Sequence, residues 1–128
     1  MYFRKENANP LRRKTSDCVV RAIATGTGKT WDEVYNALCE IGMEMKRMPS
    51  TKQVYEAYLV DALGWTKHKR PLKYDGKRYR LWEFVGVYPV TAVVHLTRHV
   101  TCVLDGDLSD TWNCGDYCMG NYYTPPTR

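Results

Sequence analysis

The stretch that decides the fold is Arg98-His-Val-Thr-Cys-Val-Leu-Asp-Gly-Asp-Leu-Ser-Asp-Thr-Trp-Asn113. From His99 to Leu104 it is β-branched and apolar, the composition of a pleated, buried strand. Asp105-Gly106 supplies two residues that tolerate left-handed backbone, which is what a two-residue hairpin turn requires. Residues 108–112 are therefore predicted to return antiparallel to the strand that begins at His99, and residues 90–97, bounded by Pro89, form a further strand. The returning strand carries Asp110 and ends near Asn113, so either side chain can reach the His99 ring, depending on turn length and register.

Upstream, the period changes from that of strands to that of helices. Asp17 is read as the N-cap of a short helix with apolar positions Val19, Val20, Ala22 and Ile23, ended by Gly26 and Gly28. Thr30-Trp-Asp-Glu33 fits a capping box ahead of Val34, Leu38 and Ile41, with Gly42 as the stop. Ser50-Thr-Lys-Gln53 repeats that signal before Val54, Tyr55, Tyr58, Leu59, Ala62 and Leu63, which Gly64 closes. Residues 122–128 contain Pro125-Pro126 and read as a tail without regular hydrogen bonding. Three helices followed by an antiparallel sheet is an α+β order, and no repeat or linker divides residues 1–128 into more than one domain.

The totals fit that reading. The chain has 128 residues, 44% hydrophobic and 26% charged, which excludes the disordered, fibrous and membrane-spanning classes. Met1-Tyr-Phe-Arg-Lys-Glu-Asn7 lacks the apolar run of a secretory signal, and five cysteines cannot all pair, so reduced thiols in the cytoplasm are expected. A net charge of +5 favours acidic partners. The basic residues gather in Arg12-Arg13-Lys14, Lys67-His68-Lys69-Arg70 and Lys77-Arg78-Tyr79-Arg80, which a solvated face also explains.

A thiol attacks only as thiolate, and both a helix N-terminus and a neighbouring imidazolium lower its pKa. Cys18 stands at a helix start, where its own N–H has no helical partner and is available to an oxyanion. His99 begins a strand, and Asp110 or Asn113 follows across the hairpin to orient the ring. Taken singly, Cys18 is core filler, His99 an interfacial histidine and Asp110 a turn residue; the three in order point to nucleophile, base and orienter.

Asp17-Cys-Val-Val-Arg-Ala-Ile-Ala24, Gly28-Lys-Thr-Trp-Asp-Glu-Val-Tyr35, Arg98-His-Val-Thr-Cys-Val-Leu-Asp-Gly106 and Asp110-Thr-Trp-Asn113 together resemble papain-like cysteine peptidases. The resemblance is to the compact branch that includes leader-peptide peptidases and small phage-encoded proteins. It implies a papain-like fold with N-terminal helices packed on a small antiparallel sheet. It also implies Cys18 as nucleophile, His99 as general base and acid, and Asp110 or Asn113 as the third residue. The substrate would be a peptide or protein, the setting a host cytoplasm if the chain is phage-encoded, and neither cofactor nor metal is called for. Where the family places an oxyanion glutamine ahead of the cysteine, this chain has Arg12-Arg13-Lys14. That departure motivates a rival expectation, a binding or inhibitor protein on the same scaffold that meets a host protein or nucleic acid through its basic face.

Other signals are weaker. Gly26-Thr-Gly-Lys-Thr30 resembles the end of a phosphate loop but lacks its first glycine and its preceding strand. His95, His99, Cys114 and Cys118 are zinc-ligand types, yet residues four apart on a strand lie about 13 Å from each other. Cys39 and Cys102 read as core thiols, Met43, Met45 and Met48 as an inter-helix loop, and Trp31, Trp65, Trp82 and Trp112 as core and rim aromatics.

Overall fold

In the computed structural model, which describes residues 1–127, the chain forms an α+β fold around one six-stranded mixed sheet. The elements run β1 (Phe3–Lys5), α1 (Cys18–Thr27), α2 (Trp31–Met45), α3 (Lys52–Glu56) with a π-helical continuation (Ala57–Ala62), β2 (Thr66–His68), α4 (Leu81–Val87), β3 (Ala92–Leu96), β4 (His99–Leu104), β5 (Asp107–Asp110) and β6 (Met119–Thr124). Strand order across the sheet is β1-β5-β4-β3-β6-β2. Every pairing is antiparallel except β1 with β5, so the expected antiparallel sheet becomes a mixed one through a strand as short as Phe3-Arg-Lys5. No helix among the described residues is long and apolar enough to cross a membrane.

The sheet separates two cores because successive side chains on a strand point to opposite faces. Val93, Val100, Cys102 and Tyr123 pack under α1, α2 and α3, against Ile23, Leu38 and Leu59. Ala92, Val94, Leu96, Val103 and Leu108 face the other way, against Leu81, Phe84 and Val85 of α4. The predicted arrangement had helices on one side only; α4 covers the other face and makes three layers. Its start is irregular in sequence, for Arg80 stands at the N-cap where a short polar residue is usual, although Glu83 still accepts from the Arg80 backbone N–H at 2.9 Å.

The α1 and α2 boundaries follow the sequence closely. Gly28 takes left-handed backbone with φ 75° and closes α1 by donating to the Ala24 carbonyl at 3.0 Å. Gly26 stays inside α1, where a Cβ would come within 3.3 Å of Val93 and 3.4 Å of the Cys102 sulfur, so its absent side chain lets helix and sheet approach. Thr30 and Glu33 form the capping box of α2. Gly42 does not stop α2, which runs on to Met45 and ends at left-handed Lys46. The third helix starts from Thr51 without a side-chain cap, since the Thr51 hydroxyl donates to the Met48 carbonyl instead.

The expectation for residues 122–128 fails at Tyr122, Tyr123 and Thr124. They belong to β6, an interior strand between β3 and β2, because Pro125 begins just beyond the last paired residue. Tyr123 is fully buried, its ring edge-on to Tyr55 with centroids 5.9 Å apart, and its hydroxyl donates to Glu56, which also pairs with Lys67 at 2.9 Å. Arg128 of the expected tail lies outside the described residues. Tyr123→Ala is expected to cost about 3–5 kcal/mol of stability by denaturant titration, the range for losing a buried aromatic. Amide exchange at residues 119–124 is expected to be as slow as in β4; fast exchange there would contradict the strand.

Candidate functional site

The site forms where the N-terminus of α1 meets the start of β4. The hairpin fixes its register: Asp105 and Gly106 have φ 48° and 85°, and Leu104 pairs directly with Asp107. Two pairs further, Cys102 opposes Ser109, so Thr101 comes opposite Asp110. The Thr101 hydroxyl donates to Asp110 Oδ2 at 2.6 Å. His99, two residues before Thr101 and on the same side of the strand, bonds through Nε2 to the same oxygen at 2.7 Å. The returning strand ends at Asp110, two residues before the sequence expectation, because the Asp110 carboxylate there takes the backbone N–H of Thr111 at 2.6 Å.

Cys18 is the first residue of α1, and its half-buried thiol faces the His99 side chain and the Val100 backbone, both of which lower its pKa. With Nε2 committed to Asp110, Nδ1 is the ring nitrogen left for the sulfur. Cys18, His99 and Asp110 therefore stand in relay order, the imidazole facing the thiol and held by the carboxylate at 2.7 Å. Asn113, the other candidate third residue, is exposed and accepts from the Gly115 N–H at 3.0 Å, closing a turn beyond the strand.

The electrostatics follow from these contacts. Burial alone raises the Cys18 pKa, but the His99 hydrogen bond, the Val100 backbone contact and the nearby charges of His99 and Arg21 bring it below the ordinary 9.0. Burial likewise works against a charged His99, yet hydrogen bonds to Asp110, Cys114 and Cys18 and the Asp110 charge raise its pKa to about 11. Burial opposes the Asp110 charge as well, and the bonds from His99, Thr101 and Thr111 outweigh it, leaving the carboxyl below 3.8. At neutral pH His99 is therefore held as imidazolium, and beside it the Cys18 thiol ionises more readily than an ordinary one.

Asp17 serves the site in a way the sequence did not suggest. It occupies the N-cap position of α1 but makes no side-chain cap bond. Its buried carboxylate instead accepts from Asn9 Nδ2 at 3.1 Å and Trp31 Nε1 at 2.9 Å and pairs with Arg21, whose Nη2 lies 3.8 Å from Asp110 Oδ1. Arg21 thus stands between two buried carboxylates. Trp112 packs over the imidazole, with ring centroids 5.0 Å apart, and Tyr117 abuts Trp112 edge-on at 5.3 Å. Thr101, Arg21 and Trp112 were all present in the quoted motifs; only their register against Asp110 and His99 gives them a role.

Of the zinc-ligand types, His99 and Cys114 come together while His95 packs over Gly120 and Cys118 bridges to Arg80. Among the described residues, His99, Asp110 and Cys114 form the one group whose ligand atoms all lie within 4.8 Å of one another. Two ligands on a tetrahedral zinc would stand about 3.3 Å apart, whereas Nε2 and Oδ2 are hydrogen-bonded at 2.7 Å. The donor set suits a metal in type, but its geometry is that of an imidazole held by a carboxylate. Cys39 is half-buried and Cys102 fully buried, the latter with its thiol pushed up to about 12 by burial and the charges of Asp110 and Glu6.

Linkage to stability has opposite signs at the two partners. His99, raised from 6.5, contributes stability that is complete below that value and lost as pH rises towards about 11. Cys18, lowered from 9.0, contributes stability present above 9.0 and lost as pH falls through its folded value. Asp110→Asn is expected to flatten the decline in unfolding free energy between about pH 6.5 and 11. Urea titrations across that window check this, and an unchanged slope would show that Asp110 does not hold the His99 proton.

No family model matches the chain, and no curated protein or solved structure does either.

Proposed function

We propose that the chain is a papain-like thiol hydrolase acting on a peptide, isopeptide or related acyl bond, with Cys18, His99 and Asp110 as its catalytic triad. The observation that carries this is the relay itself: a helix-start thiol facing an imidazole from a separate strand, which a buried carboxylate holds at 2.7 Å. Core cysteines and satisfied histidines account for such residues singly but not for this order of contacts.

In this reading the Cys18 thiolate attacks the carbonyl carbon, and the carbonyl electron pair becomes an oxyanion facing the Cys18 N–H, which as the first helical amide lacks an intrahelical acceptor. The amide bond then breaks, and the His99 imidazolium gives its proton to the departing amine. Water, deprotonated by His99, attacks the resulting thioester and releases the acid and the thiolate. Asp110 keeps the ring oriented, with Thr101 fixing the carboxylate. Asn9 and Trp31, the polar side chains ahead of and behind the nucleophile, are both engaged by Asp17, so the oxyanion depends mainly on backbone donation.

Cys18→Ala is expected to abolish covalent labelling by an electrophilic acyl probe. His99→Ala should slow it about 10²–10⁴-fold at neutral pH, the usual contribution of a positioned acid–base group. Mass spectrometry of the labelled protein, with circular dichroism as the fold control, checks both. Label retained in Cys18→Ala and located on Cys39 or Cys118 would remove the proposal.

A further inference from the structure

The segment that joins β1 to α1 carries charge that the relay does not use. Residues 10–16 are all exposed, while the residues that flank them, Asn9 and Asp17, are buried and bonded to each other at 3.1 Å. The result is a loop with a closed base, and that base is the residue next to Cys18. Arg12 and Ser16 both take left-handed backbone, with φ 53° and 54°, so the loop is folded rather than extended. Asn9 Oδ1 accepts the Leu11 N–H at 3.0 Å and the Asn9 carbonyl accepts the Arg12 N–H at 2.9 Å, fixing its first turn.

This loop forms one wall of a cavity of about 1080 Å³, just above the usual range for ligand sites. Lys5, Arg12, Arg13, Lys14, Arg21 and Lys29 line it, against Glu6 as the one acid in the lining. Arg21 is neutralised by Asp17 and Asp110. Among the described residues, the other five cations take part in no ion pair. Isolated surface lysines and arginines are ordinary; five converging on one concavity create a potential that only an anionic occupant relieves. The cavity is also tied to the relay. Trp112, the cover of the His99 ring, is part of its lining, and so is Arg21, which reaches Asp110.

We propose that this cavity takes an acidic stretch of a polypeptide substrate and thereby selects which acyl bond reaches Cys18. The inference rests on the thiol-hydrolase reading for the choice of a polypeptide. A thiolate attacks acyl carbon, which a polypeptide supplies and a phosphodiester chain does not. The lining agrees, because Trp112 is its only aromatic residue, whereas single-stranded nucleic acid is held by successive stacking platforms.

The test is fluorescence anisotropy of a labelled poly-glutamate peptide against the intact protein. The wild-type chain is expected to bind it, less tightly as salt is raised. The exposed triple variant Arg12→Glu/Arg13→Glu/Lys14→Glu should weaken binding about tenfold or more. The pair Lys69→Glu/Arg70→Glu, exposed residues outside the cavity, should leave it unchanged. Absence of peptide binding, equal loss in both charge-reversal variants, or tighter binding of a single-stranded oligonucleotide than of the peptide would each overturn the proposal. Acyl-probe labelling of Cys18 in the same triple variant is expected to persist. That readout separates the two ideas: lost labelling in His99→Ala tests the relay, and anisotropy tests the cavity.

Discussion

The buried carboxylate of Asp110 is the constraint on which the rest of the site depends. An ionised carboxylate in a protein interior is costly unless its oxygens are satisfied by donors or charge. Here Oδ2 takes the His99 ring and the Thr101 hydroxyl, and Oδ1 takes the Thr111 amide with Arg21 nearby. The donors come from β4, from the residue after Asp110 and from α1, and all converge on that one negative charge. The carboxylate orients the imidazole, and the imidazole, by keeping its proton, makes the Cys18 sulfur easier to ionise.

Asp17 repeats the device on the other side of Arg21. Its carboxylate draws in Asn9, Trp31 and Arg21, so the loop before α1, the first turn of α2 and α1 itself are fastened at one point. Arg21 links the two anionic centres, with its Nη1 on Asp17 and its Nη2 towards Asp110. Cys18 is therefore positioned from both ends: by a helix whose start is anchored on Asp17, and by a strand whose start is anchored on Asp110.

Much of this was legible in the sequence because it depends on local rules. Asp105-Gly106 dictates a two-residue turn, and that turn alone sets which residue of β5 faces Thr101. Thr30 and Glu33 announce α2, and the position of Cys18 at a helix start follows from Asp17 and the apolar residues after it. What was not legible depends on partners distant in the chain. Phe3-Arg-Lys5 has no strand period and is a strand only because β5 offers it an edge. Tyr122-Tyr-Thr124 lies in the sheet interior, since the influence of Pro125 begins only where pairing ends. The choice between Asp110 and Asn113 needed the exact end of β5, and Asp17 reads as a cap in any local scheme, although its acceptors are spent on donors that sequence spacing does not reveal.

The sheet terminates on β1 and β2, Phe3-Arg-Lys5 and Thr66-Lys-His68, each three residues long and each bearing a basic side chain. Unpaired strand edges are templates on which a second molecule can add its own strand, and short, charged margins deny it both length and a neutral surface. The positive charge of this chain thus has a second effect at the two flanks of the sheet. There it discourages self-association through the backbone, leaving the interior strands that carry His99 and Asp110 enclosed between their neighbours.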